Sequence, residues 1–258
     1  MRTALIGHTG FVGSNLDSQN KFTDRFNSRN IGSIRGESFD LIVCAGVSAV
    51  KWKANRDPET DWKGVEALLD PLGEAEAGRF VLISTVDVYP FPVEVDEDTS
   101  IDPEINHAYG KHRYAVEEFV RRRYPQHHIL RLPGLFGPGL KKNVIYDLLN
   151  DNGLEKIDPA ASFQWYPLDR LWDDIGKIMA ADLRTVNLAT EPVTTREIIE
   201  ELFPDKLSSV AEPSAEPPGY DFRTRHAGLF GGRGGYLMDK TGVMKALRRY
   251  VDAARKDT

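Results

Sequence analysis

The sequence predicts an α/β fold, a doubly wound parallel sheet with a smaller C-terminal region. Three observations carry this. Apolar runs alternate with helical patterns over residues 1–135. The apolar runs are nearly unbroken, as in parallel strands buried on both faces. The first run enters a glycine loop that opens a helix, "GHTGFVG", the punctuation of a strand–turn–helix unit.

The elements follow in order. "TALIG" (Thr3–Gly7) reads as a short strand and "FVGSNL" as the start of a helix. "DRFNSRNIG" holds a second, short strand, and "FDLIVCAG" (Phe39–Gly46) is a buried one. "DPETDWKGVEALLDPLGEA" spaces its apolar residues as a helix does. "RFVLISTVDVYP" is a buried strand ending in polar residues, "YGKHRYAVEEFVRRR" a helix, and "HHILRLPGLFGPG" a strand running into a Gly-Pro loop. Beyond residue 136 the pattern loosens. "KNVIYDLLNDN", "RLWDDIGKIMAADL" and "TTREIIEELF" read as helices, the second returning to the sheet before "TVNLAT" and the third capped by a threonine with Glu197 in its first turn. "SVAEPSAEPPGYDF" reads as an exposed loop, and "LMDKTGVMKALRRYVDAARK" carries a last amphipathic helix. "FGGRGGY" does not match a P-loop and reads as a flexible loop.

The 258 residues are 41% hydrophobic and 28% charged, an ordinary globular balance. A net charge of −6 argues against a nucleic-acid or anionic-membrane surface. No apolar run approaches the ~20 residues that span a bilayer. The single cysteine, Cys44, precludes an intrachain disulfide and suits a reducing, cytoplasmic setting. It lies in an apolar strand run and reads as a buried thiol, not a nucleophile. Six scattered histidines offer no metal-ligand spacing, so no metal is expected.

Glycines at 7, 10 and 13 let the backbone approach a pyrophosphate, with the N–H groups and positive dipole end of the following helix pointing at it. About 20 residues on, a carboxylate would bond the adenosine ribose and favour NAD. The chain offers "FNSRN" there, with no carboxylate. Ser28 and Arg29 suit a 2′-phosphate, so NADP is preferred over NAD.

Four segments together, "GHTGFVG", "FDLIVCAG", "LISTVDVYP" and "YGKHRYAVEE", with "RLPGLFGPG" in support, resemble an extended short-chain dehydrogenase/reductase of the NAD-dependent epimerase/dehydratase kind. The resemblance spans nearly the whole chain and is firmest over residues 3–140. It implies a Rossmann-like nucleotide-binding domain at 1–135 plus about 168–190, and a substrate-binding region at 136–167 plus 191–258. It implies cofactor contacts from Gly7, Thr9, Gly10, Phe11, Val12 and Gly13, from Ala45 and Gly46, and from Pro133.

It also implies a catalytic set. Tyr109 matches the family's acid/base tyrosine, and Thr85 matches the hydroxyl that bonds the same substrate oxygen. Arg113 stands where the family's YxxxK motif has lysine. Residues four apart share a helix face, so Arg113 is expected to bind the nicotinamide ribose and bias the Tyr109 pKa downward. It cannot relay a proton; His112, three residues along, is a candidate for assisting transfer. Asp61 replaces a family asparagine, and Val86–Asp87 stands where family dehydratases carry an Asp–Glu pair, which disfavours that elimination.

On the substrate side the candidates are Asp87, Lys141, Asn143, Trp165, Arg170 and Arg223, with Lys142, Tyr166 and Arg225 nearby in sequence. Guanidinium groups suit phosphates, and aromatic rings suit sugars or bases. The implied function is an NAD(P)-dependent oxidoreductase or epimerase-like enzyme. Its substrate would carry the reacting hydroxyl or keto group on a nucleotide-sugar or related anionic small molecule. The arginine leaves open an alternative, a non-catalytic NADP(H)-binding sensor of the same fold. Family members often dimerise through helices corresponding to 58–74 and 109–123, which makes a homodimer compatible with the sequence.

Overall fold

The computed structural model describes residues 1–256. It divides into two compact units. The first comprises Met1–Pro92, Glu97–Leu132 and Asp169–Asn187; the second comprises Val93–Asp96, Pro133–Leu168 and the chain from Leu188.

The elements in chain order are β1 (Thr3–Ile6), α1 (Phe11–Gln19), β2 (Asp24–Phe26), β3 (Ser38–Cys44), α2 (Lys51–Arg56), α3 (Pro58–Leu72), β4 (Glu76–Thr85), α4 (Ala108–Arg123) and β5 (His127–Leu132). There follow β6 (Gly134–Phe136), α5 (Val144–Asn150), β7 (Ser162–Phe163), β8 (Trp165–Pro167), α6 (Leu171–Ala180), β9 (Thr185–Asn187), β10 (Val193–Thr194), α7 (Thr195–Leu202) and α8 (Lys240–Ala254).

In the first unit six parallel strands run in the order β2-β1-β3-β4-β5-β9. All four residues of β1 and the last four of β3 are buried. Full burial of each Val, Leu or Ile stabilises by roughly 1.5–3 kcal/mol, which is why these strands read as apolar runs. One face packs on α3 and α4 through Leu68, Leu72, Val116, Val120 and Tyr124, against Ile42 and Phe80 from the sheet. Cys44 belongs to this core, and burial pushes its thiol up to about 11, away from nucleophilic use.

Local signals set the helix starts. Asp57 accepts the Thr60 N–H, with Pro58 at the first helical position of α3. His107 Nδ1 accepts the Gly110 N–H at 3.0 Å, starting α4 one residue before Tyr109. Strand order reverses at β1 and β3: β2 lies to one side of β1 and β4 beyond β3. The crevice outside their carboxyl ends is therefore the switch point where doubly wound sheets bind ligands.

The second unit is built from α5, α7, α8 and two two-stranded pairings, β6 with β8 (parallel) and β7 with β10 (antiparallel). Helix α7 opens on a full capping box between Thr194 and Glu197. The "FGGRGGY" segment is a loop that holds a tight turn: Tyr236 N–H donates to the Arg233 carbonyl at 3.1 Å. A Cβ on Gly232 would lie 2.0 Å from the Tyr236 carbonyl oxygen. Among the described residues no helix is long and apolar enough to cross a membrane, and no group of three or more His, Cys, Asp or Glu side chains is placed to hold a metal ion.

Candidate active site

The glycine loop is tight because backbone meets backbone. Gly7 has φ +84°, and a Cβ there would lie 2.3 Å from the Ala45 carbonyl oxygen. A Cβ on Gly13 would lie 2.0 Å from the Gly7 carbonyl oxygen. The end of β1, the residues just after β3 (Ala45, Gly46) and the start of α1 thus come together across Gly7 and Gly13, which have no side chains. Thr9 and Gly10 are exposed, and Phe11 and Val12 are half-buried at the helix start. The α1 N-cap, Gly10, makes no side-chain capping bond, and its first turn carries no acidic residue. This suits an anion at the helix N-terminus.

Gly13→Ala is expected to destabilise the chain by about 1–3 kcal/mol through overpacking. Gly64→Ala, in α3 with nothing within 4 Å of the added Cβ, should instead stabilise by about 1 kcal/mol. Urea unfolding of the two variants checks the opposite signs.

Past β2, Asn27 anchors the loop. It accepts the Arg29 N–H at 2.9 Å, and its amide nitrogen lies 3.2 Å from His8 Nε2. Ser28 and Arg29 are exposed beside it.

Tyr109 is 7% exposed at the start of α4. Its backbone N–H donates to Asn55 Oδ1 at 3.0 Å, tying α2 to the start of α4. Its phenol faces Thr85 at the end of β4, whose hydroxyl opposes the upward push of burial on the phenol. The turn after Thr85 is clamped to the same helix: Asn106 Nδ2 donates to the Asp87 and Val88 carbonyls at 3.0 and 2.9 Å. A Cβ on Gly110 would lie 2.1 Å from the Asp87 carbonyl oxygen, so the glycine after Tyr109 is what lets helix and turn meet. Asp87 N–H donates to Thr85 Oγ1 at 3.2 Å, and Lys51 Nζ donates to Asp87 Oδ1 at 2.7 Å.

Arg113 lies on the Tyr109 face of the helix as expected, its guanidinium carbon 4.1 Å from the ring centroid. Its hydrogen bonds go elsewhere. NH1 donates to Asp61 Oδ2, and NH2 donates to Asp61 Oδ1 at 2.9 Å and to the Ser48 carbonyl. Both partners of this ion pair are nearly buried, at 4% and 7% side-chain exposure. Burial pushes the Asp61 carboxyl up, but Arg113 and His112 together hold it below the usual range.

The expected downward bias on Tyr109 is therefore present but outweighed. Burial, with Asp87 adding to it, pushes the phenol up to about 12 against the pull of Arg113. The expected part for His112 is corrected too. Its Nδ1 lies 2.8 Å from Asp61 Oδ2 and its ring packs on Trp62, so its hydrogen bond serves Asp61 and not the phenol.

The remaining candidates are placed differently. Arg170, in the first unit, is committed to Asp174 at 2.6 Å, four residues on. In the second unit Pro133 is buried and Lys141 exposed. Asn143 has φ +118° and caps α5, accepting the Ile145 and Tyr146 N–H groups. Trp165 and Tyr166 are buried, at 4% and 0% exposure, so neither presents a ring face for stacking. Trp165 packs on Phe163 and over Gly134. Arg223 pairs with Asp221 at 2.8 Å and lies over the Tyr236 ring.

Sequence reasoning did not single out Lys51, Asn55 or Asn106, which frame Tyr109 and Asp87. It took Asp61 and Arg113 as two separate departures, although one is anionic and the other cationic. Their opposite charges were the available signal that they are a single compensated change.

The sheet order and the switch-point glycine loop define a Rossmann-like α/β protein. The chain belongs to the NAD dependent epimerase/dehydratase family, whose profile matches residues 21–157, more than half its length. Among solved structures it is similar to a dTDP-glucose 4,6-dehydratase from Streptomyces venezuelae determined with NAD bound (TM-score 0.77, 19% identity, covering 100% of this chain and 98% of that one). It is similar also to a UDP-glucose 4-epimerase from Thermotoga maritima determined with UDP-glucose (0.72, 17%, 100% and 99%). A third is a dTDP-4-dehydrorhamnose reductase from Bacillus anthracis in complex with NADP (0.73, 17%, 98% and 98%). No curated protein matches the chain in sequence. At these identities the structural likeness speaks for the fold.

Proposed function

We propose that the protein is an NAD(P)-dependent oxidoreductase or epimerase-like enzyme acting on a hydroxyl or keto group of a nucleotide-sugar or related anionic small molecule. The observation that carries this is the buried Tyr109 phenol at the start of α4 facing Thr85 at the end of β4. That pair offers one oxygen that gives or takes a proton and a second that holds the same substrate oxygen in place. The glycine loop of Gly7, Gly10 and Gly13, with Ala45 and Gly46, would hold the pyrophosphate. Ser28 and Arg29 would meet a 2′-phosphate, which supports NADP over NAD. The nicotinamide, when bound, supplies or accepts the hydride.

One observation favours a second reading. The Arg113 guanidinium is bonded to Asp61 and Ser48, which supports a sensor that binds NADP(H) without turnover. Titrating the chain with NADPH and NADH, following energy transfer from its four tryptophans, tests the shared premise. Binding with NADPH preferred is the expected result; binding of neither sinks both readings. Product analysis with nucleotide-sugars then separates them, because an epimerase that recycles its cofactor gives product without net absorbance change.

A further inference from the structure

Asn27 stands roughly 20 residues beyond Gly7, in the loop after β2. From that position a carboxylate reaches the adenosine ribose in NAD-binding sheets. An amide there does not repel a 2′-phosphate, but it brings no charge to meet one either. Its hydrogen bonds go to the neighbouring backbone and to the glycine loop, and their directions are fixed.

A backbone N–H only donates. The Arg29 N–H reaches Asn27 Oδ1 at 2.9 Å, so the amide oxygen faces Arg29. The amide nitrogen then faces His8, 3.2 Å from Nε2. An amide NH2 also only donates, so His8 Nε2 accepts, and the neutral ring carries its proton on Nδ1. Two backbone bonds hold this arrangement in register. Gly7 N–H donates to the Phe26 carbonyl at 2.7 Å, and Asn27 N–H donates to Asn30 Oδ1 at 2.7 Å. The glycine loop and the loop after β2 are thus joined through backbone and side chain together.

We propose that His8 is a donor to the 2′-phosphate of an adenine dinucleotide, beside Ser28 and Arg29, and that Asn27 is the positioning residue that fixes its tautomer. The proposal rests on the reading of this loop as an NADP site. A phosphate monoester carries about 1.5–2 negative charges near neutral pH and accepts through three oxygens. An N–H given to it makes a charge-assisted bond, whereas one given to a ribose hydroxyl makes an ordinary one. His8 therefore discriminates between the two nucleotides and does not merely add affinity to both. Ser28 and Arg29 are exposed, whereas His8 is half-buried, so less side-chain freedom is lost when its ring is ordered. The carboxylates on either side are already compensated: Asp17 pairs with Arg25 at 2.8 Å and Asp24 with Arg2 at 3.0 Å.

The test uses the full chain and two fragments that differ only in the 2′-phosphate, 2′,5′-ADP and 5′-AMP. Calorimetry gives both dissociation constants. His8→Ala is expected to weaken 2′,5′-ADP by roughly tenfold, the loss of one charge-assisted hydrogen bond. It should leave 5′-AMP within about twofold, which also shows that the variant keeps its fold. A second measurement needs no variant of doubtful stability. With ¹⁵N-labelled histidine, long-range ¹H–¹⁵N spectra of the native chain read the tautomer of each ring, and the signals lost in His8→Ala identify His8. The native chain should show the Nδ1–H form, with its Nδ1 resonance moved by 2′,5′-ADP and not by 5′-AMP. Asn27→Asp keeps an acceptor for the Arg29 N–H but sets an oxygen opposite Nε2. It should turn His8 to donate through Nε2 and reverse the preference between the fragments.

Equal weakening of both fragments in His8→Ala would mean that the ring only shapes the glycine loop, and overturns the proposal. So does an Nε2–H tautomer in the native chain. If 2′,5′-ADP binds the native chain no more tightly than 5′-AMP, the NADP reading falls and takes this one with it. If it binds more tightly and His8→Ala keeps the whole difference, only the part given to His8 falls.

Discussion

Tyr109→Phe is expected to lower turnover by about 10²–10⁴-fold, the usual contribution of a positioned acid/base group, with nucleotide affinity unchanged. The phenol oxygen is what the substitution removes; the ring, with Arg113 over its face, stays. The pH dependence separates the two directions. The phenol's midpoint, pushed up to about 12, keeps it protonated throughout the neutral range. As donor to a carbonyl it is then already in its working form, and the reduction rate should be flat with pH. As base toward a hydroxyl it works only in its scarce phenolate form, and the oxidation rate should climb roughly tenfold per pH unit. Initial rates in both directions, on the substrate identified by product analysis, check this. Wild-type turnover in Tyr109→Phe removes the residue from the mechanism.

How much of this was legible depends on the range of the interaction. The central strands were legible because a parallel strand buried on both faces must be apolar along its length; "FDLIVCAG" and "RFVLIST" could hardly be anything else. That Tyr109 and Thr85 meet was legible through the resemblance. Helix α2 was not: "KWKANR" has only six residues and one buried position, Ala54, too few for a period. The pairs β6–β8 and β7–β10 have two or three residues per strand, shorter than any alternation can show.

The ion pair of Asp61 with Arg113 joins residues 52 apart and exists only because α3 packs on α4. Read singly, the arginine looks like a lost lysine and the aspartate like a lost asparagine. Read together, an added negative charge answers a cation that can no longer be discharged. Trp165 failed as a stacking platform for a different reason: composition announces a large aromatic ring, but only packing says whether its face is open or covered.

The largest effect on stability is expected from Glu117→Gln, at about 3–5 kcal/mol, because it breaks a buried ion pair and strands the partner charge. Glu117 is wholly buried two helical turns beyond Tyr109, on the same face of α4. Its carboxylate accepts from Ser84 Oγ at 2.6 Å, from Arg131 Nε and NH2 at 3.0 and 2.7 Å, and from Arg121 NH2 at 2.9 Å. Arg131 in turn donates to the Tyr89 hydroxyl at 2.6 Å, and Asn187 Nδ2 donates to that hydroxyl at 3.1 Å. One carboxylate thus joins β4, β5 and α4, with β9 reached through Tyr89, beneath the strand end that bears Thr85.

Burial alone would push the Glu117 carboxyl up, yet the Arg131 and Arg121 charges and the Ser84 hydrogen bond outweigh it and hold the group below the usual range. A depressed folded pKa stabilises the fold above the unfolded value, about 4.3 for a glutamate, and that contribution is lost as pH falls through the lower folded value. Urea unfolding of native and Glu117→Gln chains should therefore show their widest gap at neutral pH and a narrowing gap in acid. A second variant controls for simple loss of packing: Glu117→Leu combined with Arg131→Met removes both charges and should cost less than Glu117→Gln alone. Equal losses in the two, or a gap that does not shrink in acid, would mean that the pair's charge is not what holds these strands to α4.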